Sequence, residues 1–256
     1  MMDPILYNRQ AWDRQVESGE NPWTMPVDSA LIKKARKGQF SVLLTENIPT
    51  PASWLPPMKG LRILGLASGG GQQGPLFAAA GAEVTILDNS PKQLDRDNQV
   101  AAREGLTSLN TILGDAKDLS MFPDETFDLV FNPASNVFMP DVRPVWKEAF
   151  RVLKRGGTLL SGSMSPVLYL FKEEDFDSGN LIVTQKIPYA DAEHPEIVER
   201  LVKINRPLEY GHSLTDLIGG QIDAGFHIIG FFEDYQSDTA LSRYIASYVA
   251  TRALKP

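Results

Sequence analysis

Apolar and polar positions alternate along the middle of the chain in a pattern that predicts strands and helices in turn. Short apolar runs predict five buried strands, over residues 62–67, 83–88, 109–113, 127–132 and 157–164. Segments with helical spacing predict helices between them, at about residues 72–80, 91–104 and 142–153. Because strands that alternate with helices tend to pair in parallel, we expect a doubly wound α/β fold.

The segment before the first strand predicts a separate N-terminal unit. Its pattern indicates helices over about residues 4–17 and 28–38, with Asp28 and Ser29 as candidate caps and Gly38 as a stop. Residues 48–59 are rich in proline, which favours an extended linker. We therefore expect residues 1–58 to form a helical lid with its linker, and residues 59–256 to form the main domain.

After Ser165 the alternation of strand and helix breaks. Two strand-like runs, over residues 181–189 and 202–210, flank an acidic helix near residues 193–201. They predict a cap inserted at about residues 165–211. Beyond the cap, Ser213-Leu-Thr-Asp216 resembles a capping box that opens a crossover helix ending near Gly225. Strands over residues 226–235 and 247–254, the last one antiparallel, would complete a seven-stranded sheet.

The composition and net charge of the chain indicate which kinds of molecule it can bind. The 256 residues carry a net charge of −7, which disfavours binding to nucleic-acid phosphates, so a small-molecule substrate is expected. There is no apolar run of the roughly 18 residues that a membrane span needs, and the N-terminus lacks the pattern of a secretion signal. The absence of cysteine excludes disulfides and thiolate metal sites. A cytoplasmic protein without a metal is expected, and no oligomeric state is indicated.

The turn after the first predicted strand carries the most specific motif. Gly69, Gly70 and Gly71 stand in a row and open the next helix, and Asp88 ends the second strand. Glycines let the backbone approach a ligand closely, and a terminal carboxylate suits the two hydroxyls of a ribose. This unit predicts a nucleoside site, although the glycine spacing alone fits NAD as well as other adenosine ligands.

Two further strand ends carry polar residues at the same predicted edge of the sheet. Asp115 and Ala116 follow the third strand, where a carboxylate and a backbone N–H suit the edge of an adenine ring. Asn132, Ser135 and Asn136 follow the fourth strand. Ligands of open α/β sheets bind at the carboxyl ends of the strands, so these residues are candidates for the same site.

Taken together, residues 61–162 resemble the class I S-adenosylmethionine-dependent methyltransferases. The resemblance implies a Rossmann-like sheet with S-adenosyl-L-methionine as cofactor. It further implies that Asp88 holds the ribose and that Asn89 and Gln93 flank the adenosine. Asp115 and Ala116 would bind the adenine, and Asn132 would face the methyl-donor end. The loop expected to wrap the methionine part consists of Ala67, Ser68, Gly69, Gly70, Gly71 and Gln72.

One position departs from the family's pattern. Gly65 stands where many members have an acid that helps hold the amino group of the cofactor. The resemblance therefore implies that another residue replaces this acid, and the N-terminal segment is a candidate source.

His212 is the candidate catalytic residue. It stands immediately before the predicted crossover helix, and a right-handed crossover would place that helix start at the cofactor edge. An imidazole there suits a base that accepts a proton from the substrate. The other candidates for the substrate side are Tyr7, Trp12, Asn136 and Tyr210.

The expected function is methyl transfer from S-adenosylmethionine to a small molecule by in-line displacement. Two alternatives remain open on the residues alone. One is an NAD-dependent oxidoreductase built on the same strand–helix–strand unit, and the other is a non-catalytic sensor of S-adenosylmethionine or a nucleotide. The sequence does not distinguish oxygen, nitrogen, sulfur or carbon as the acceptor atom.

Overall fold

The computed structural model describes residues 2–256, with helices on both faces of one central sheet. The helices are α1 (Pro4–Ser18), α2 (Ser29–Ala35), α3 (Gln73–Ala79), α4 (Pro91–Glu104), α5 (Arg143–Val152), α6 (Glu173–Ser178), α7 (Pro195–Lys203) and α8 (Gly220–Asp223). The strands are β1 (Arg62–Leu66), β2 (Glu83–Asp88), β3 (Leu109–Leu113), β4 (Phe127–Asn132), β5 (Leu153–Met164), β6 (Tyr189–Ala190), β7 (Tyr210–Gly211), β8 (His227–Asp234) and β9 (Tyr248–Leu254).

The sheet has seven strands in the order β3-β2-β1-β4-β5-β9-β8, which confirms the predicted doubly wound fold. Strands β1 to β5 pair in parallel, and β9 runs antiparallel between β5 and β8. The strand order reverses beside β1, where β2 pairs on one side and β4 on the other. Ligands of such sheets bind at this switch point, outside the carboxyl ends of the strands.

The boundaries of α4 illustrate why these residues form these elements. The Ser90 side chain accepts a hydrogen bond from the Gln93 backbone N–H at 3.1 Å, which caps the first turn. Pro91 occupies the first helical position, where a missing N–H costs little. Gly105 then ends the helix in the left-handed conformation, at φ +67°.

Two apolar layers cover the two faces of the sheet. One contains Phe77 and Ile63, and the other contains Trp146 and Phe226. These four side chains are almost completely buried, and each large side chain that leaves water stabilises the fold by about 2 kcal/mol. The sheet is therefore a rigid support for the loops at its carboxyl edge.

The cap differs from the prediction in its strands. The runs over residues 181–189 and 202–210 were expected to be strands, but only the two-residue strands β6 and β7 form there. Some of their apolar side chains, such as Tyr189 and Leu208, pack into small clusters with residues of α1 and α7, whereas others, such as Ile182 and Val183, are exposed. The acidic helix is present as α7. The crossover helix begins with a π-helical turn, Thr215–Gly219, before α8.

The N-terminal segment, residues 2–58, packs across the carboxyl edge of the sheet. The Asn8 side chain donates to the backbone oxygens of Phe138 and Leu208, and its oxygen accepts from the Leu208 N–H at 2.8 Å. Further along, the Val27 N–H donates to the Gly71 oxygen at 2.9 Å. These bonds tie the segment to the glycine turn and to the cap. Within residues 2–256, no helix has both the length and the apolarity to span a bilayer.

Candidate functional site

A cavity of about 530 Å³ lies at the carboxyl edge of the sheet, between the strand ends and the N-terminal segment. Its volume falls in the range of small-molecule sites, which is roughly 300–1,000 Å³. Nine of the twelve residues predicted to bind the cofactor line this cavity: Ala67, Ser68, Gly69, Gln72, Asp88, Asn89, Gln93, Asp115 and Ala116.

Two backbone groups hold the carboxylate of Asp88 in one orientation. The Gly69 N–H donates to Oδ2 and the Ser90 N–H donates to Oδ1, both at 2.9 Å. Burial raises the pKa of Asp88, while these N–H donors oppose that rise. Since each carboxylate oxygen has two acceptor sites, each retains one for a hydroxyl of a ligand.

The glycine turn is shaped by close backbone contacts. A Cβ on Gly69 would lie 2.7 Å from the Gln93 Cβ, and a Cβ on Gly70 would lie 2.7 Å from the Trp23 oxygen. Gly70 also has φ +116°, a conformation that side chains disfavour. Gly70 and Gly71 are not among the residues that line the cavity, and they support the turn from behind.

Asp115 and Asn89 stand at the ends of neighbouring strands. The carboxylate of Asp115 lies 3.4 Å from the Lys117 ammonium group and accepts from the Lys117 N–H. The Asn89 side chain accepts from Arg9 at 2.9 Å and donates to the Ile5 oxygen. Asn89 therefore fastens α1 over the cavity as well as lining it.

Asn132 and Asn136, which were predicted to contact the cofactor and the substrate, are not among the residues that line the cavity. The Asn132 amide donates to the Leu66 oxygen at 2.9 Å, and the Asn136 amide donates to the Gly162 oxygen at 2.8 Å. Both side chains are almost completely buried, and each donates to a backbone oxygen of a neighbouring strand, as buried polar groups require. Their place in the structure is to join β4 to β1 and to β5.

Of the predicted substrate residues, only Trp12 lines the cavity. The Tyr7 hydroxyl donates to the Arg206 oxygen at 2.8 Å. Tyr7 and Tyr210 are buried in an apolar cluster that joins α1 to the cap. Their rings therefore hold the N-terminal segment against the cap.

His212 also lies apart from the cavity. Its Nε2 is 3.2 Å from the backbone oxygen of Asn136, and its side chain is half-buried beside Tyr210. Burial lowers the pKa of His212. Because β7 pairs with β6 in the cap, the residue is held against the loop after β4, and it lines neither this cavity nor the one in the cap.

Sequence reasoning missed the carboxylate beneath the glycine turn. A Cβ on Gly65 would overlap Ile86 Cδ1 and Ser68 Oγ, so the position has no room for the acid common in the family. Instead Asp97 of α4 extends under the turn and accepts from the Gly70 N–H at 3.0 Å. Asp97 is fully buried, and the described residues offer its Oδ1 no hydrogen-bond partner. Asp97 therefore supports the glycine turn from α4 and does not itself line the cavity.

The environment of Asp97 predicts a pH-dependent stability. Burial raises its pKa from 3.8 to about 8, while the Gly71 and Gly70 N–H groups oppose the rise. The folded protein thus keeps a proton that the unfolded chain releases near pH 4, so stability declines as pH rises from about 4 to 8. Asp97→Asn should remove this decline. Relative to the parent, the free energy of unfolding of the variant should therefore rise by more than about 1.4 kcal/mol between pH 5 and pH 8.5.

Urea unfolding at the two pH values measures this effect. The control is Asp95→Asn, which makes the same change at an exposed position of the same helix. Parallel pH profiles for Asp97→Asn and the parent protein would show that Asp97 does not hold a shifted proton.

Comparison with known proteins agrees with this geometry. The family model described as "Methyltransferase domain" matches residues 64–161. The uncharacterized methyltransferase YbaJ of Bacillus subtilis (strain 168) is 51% identical over 253 residues, which cover 98% of each chain. The chain belongs to the class I S-adenosylmethionine-dependent methyltransferases.

More distant relatives share parts of this methyltransferase. The sterol 24-C-methyltransferase erg6 of Aspergillus fumigatus is 38% identical over 101 residues, which cover 39% of this chain and 26% of that protein. An S-adenosylmethionine-dependent methyltransferase from Mesorhizobium loti has the same fold, with a TM-score of 0.60 and 19% identity. That match covers 79% of this chain and 94% of the other.

Because the chain belongs to this family, it is an enzyme. The alternatives of an NAD-dependent oxidoreductase and of a non-catalytic sensor are therefore rejected. Its cofactor is S-adenosylmethionine. The residues at the cavity fit this cofactor, because the Asp88 carboxylate lines the cavity as a hydrogen-bond acceptor and the turn beside it is held in place by close backbone contacts.

Proposed function

We propose that the enzyme transfers a methyl group to a small-molecule acceptor by in-line displacement, with the cofactor in the 530 Å³ cavity. The observation that carries the proposal is the convergence on this cavity of the glycine turn, the Asp88 carboxylate and the Asp115-Ala116 pair. The net charge of −7 favours a small acceptor over a nucleic acid.

In this proposal the chain's own residues bind, orient and exclude water. Asp88 accepts hydrogen bonds from the ribose, Asp115 and Ala116 contact the adenine, and the turn from Ala67 to Gln72 encloses the methionine part. The sulfonium of S-adenosylmethionine supplies a methyl group that is already electrophilic. The protein therefore contributes mainly alignment and a dry site, which the N-terminal segment closes on one side.

Calorimetry with S-adenosylmethionine, its demethylated product and NAD tests the cofactor site. We expect the first two to bind with a 1:1 stoichiometry and NAD to bind at least about tenfold more weakly, since α1, which carries Trp12, covers one side of the cavity. A screen of small acceptors with labelled methyl donor then tests transfer. Tighter binding of NAD would contradict the proposed occupant of the cavity.

A further inference from the structure

A second cavity, of about 510 Å³, lies within the cap beside the first. Its walls are mixed. One part is apolar and aromatic, with Leu168, Tyr169, Phe171, Phe176, Ile197 and Leu201, and the rest carries polar and charged side chains, among them five carboxylates. The two cavities meet at a junction formed by Met164, Arg206, Pro207, Glu209 and Gln236. The two cavities are therefore adjacent, and these five residues border both of them.

Glu209 is the carboxylate at this junction. Its Oε2 accepts from the Tyr169 hydroxyl at 2.7 Å, and its backbone N–H donates to Asp191 Oδ2 at 2.8 Å. Its Oε1 lies 3.7 Å from the nearest guanidinium nitrogen of Arg206, beyond hydrogen-bond distance. One oxygen is thus fixed by tyrosine, while the other retains its capacity to accept.

Two contacts fix the Tyr169 ring beside Glu209, and one of them is supported by a further hydrogen bond. The Tyr169 ring stacks on Tyr189 with centroids 5.6 Å apart, and the Tyr189 hydroxyl donates to Asp191 Oδ1 at 2.9 Å. A Cβ on Gly211 would lie 2.5 Å from the Tyr169 ring, so glycine lets the ring pack on the backbone of β7. Glu209 is therefore positioned by a continuous set of buried contacts.

The surroundings of Glu209 stabilise its protonated form relative to the same group in water. Burial raises the pKa of Glu209, and the Asp191 and Glu173 carboxylates add to the rise, whereas the Tyr169 hydroxyl and Arg206 oppose it. Tyr248 of β9, which lines the cofactor cavity, faces the same group and has its own pKa raised by burial and by the Glu46 and Glu209 charges. A carboxylate with a raised pKa is a better base near neutral pH.

We propose that the cap cavity is the acceptor site and that Glu209 is the catalytic base, which extends the function proposed above. The acceptor is a small molecule that packs an apolar ring or chain on the aromatic side of the cavity and presents a hydroxyl or amine to Glu209, because the Oε1 of Glu209 retains its capacity to accept. Anionic acceptors are disfavoured, since Arg206 is already paired with Glu173, and Arg200 with Glu173 and Glu174. The bond from the acceptor atom to the methyl carbon forms as the carbon–sulfur bond breaks, its electrons stay on sulfur, and the proton passes to Glu209.

Binding of 2-naphthol to the enzyme loaded with the demethylated cofactor tests the site. We expect 1:1 binding by calorimetry, and none for 2-naphthoate, which carries a negative charge. Thr184 lies at the exposed rim of the cap cavity, so Thr184→Trp should weaken naphthol binding at least about tenfold. The matched control is Val183→Trp, because Val183 is 63% exposed and does not line the cavity. Failure of naphthol to bind, or equal weakening by both variants, would overturn the acceptor site.

Methyl transfer to 2-naphthol, 2-naphthylamine and aliphatic alcohols tests the base. Glu209→Gln keeps an acceptor for Tyr169 but is a poor proton acceptor, so kcat should fall at least about 100-fold at pH 7. The deficit should shrink as pH rises and naphthol ionises by itself, which a merely structural role would not produce. Transfer to none of these acceptors, or a deficit independent of pH, would contradict the proposal. Binding of the demethylated cofactor should be unchanged in Thr184→Trp and Val183→Trp, and the absence of such binding in the parent enzyme would instead overturn the proposed function.

Discussion

Replacement of Asp88 by asparagine should weaken binding of S-adenosylmethionine and of its demethylated product by about 10- to 100-fold. Both oxygens of the carboxylate accept backbone N–H groups, from Gly69 and from Ser90. An amide must turn its NH₂ group toward one of these donors, and it also loses the charge that strengthens hydrogen bonds to the ribose. Hydrogen bonds to charged groups contribute about 1.5–3 kcal/mol, which corresponds to this loss of affinity.

Isothermal titration calorimetry measures the two affinities. The matched control is Asp95→Asn, an exposed position on α4 that should leave both constants unchanged. Urea unfolding of Asp88→Asn separates loss of a ligand contact from loss of the fold. An affinity equal to that of the parent enzyme would show that Asp88 does not contact the ribose.

Gly162→Ala should be among the most destabilising single substitutions in the chain. A Cβ at this position of β5 would overlap the backbone oxygen of Leu44, which also accepts from the Ala134 N–H at 3.0 Å. Leu44 is fully buried, so the N-terminal segment cannot move aside without giving up its packing. Overpacking of a close core contact costs about 1–3 kcal/mol and sometimes more, and we expect about 3 kcal/mol here.

Urea unfolding measures this loss, with Gly219→Ala as the matched control. Gly219 is helical, and a Cβ there would meet only the Thr215 Cγ2, at 3.7 Å. That substitution should be neutral or should stabilise by up to about 1 kcal/mol. Because Leu44 lines the cofactor cavity, Gly162→Ala should also weaken cofactor binding. If Gly162→Ala had the same free energy of unfolding as Gly219→Ala, the N-terminal segment would not pack closely on β5.

The family relation and the acceptor proposal concern different parts of the chain. The matched family model covers residues 64–161, which include the glycine turn and Asp88 but end before the cap. Glu209 and Tyr169 lie beyond it. The match to the relative from Bacillus subtilis covers 98% of each chain and so extends across the cap.

Much of the sheet and one side of the cofactor site were predictable from the sequence. The bounds of β2, β3 and β4 agree with the predicted strands, because each is an apolar run with turn residues at both ends. The glycine turn and Asp88 were found because both are local signals, written in consecutive residues beside a strand. Such signals depend on backbone conformation and on the periodicity of burial, which the chain determines over short distances.

Only the tertiary structure decided which polar side chains face the ligand and which satisfy the backbone. Asp97 accepts a hydrogen bond from the Gly70 N–H, although the two residues are 27 positions apart in the sequence. Glu209 and its partner Tyr169 are 40 positions apart. Asn132 and His212 looked equally suited to the cavity, yet backbone oxygens of other strands and loops hold them away from it. Whether a polar group is buried, paired or free depends on partners distant in the chain, and no local pattern records that choice.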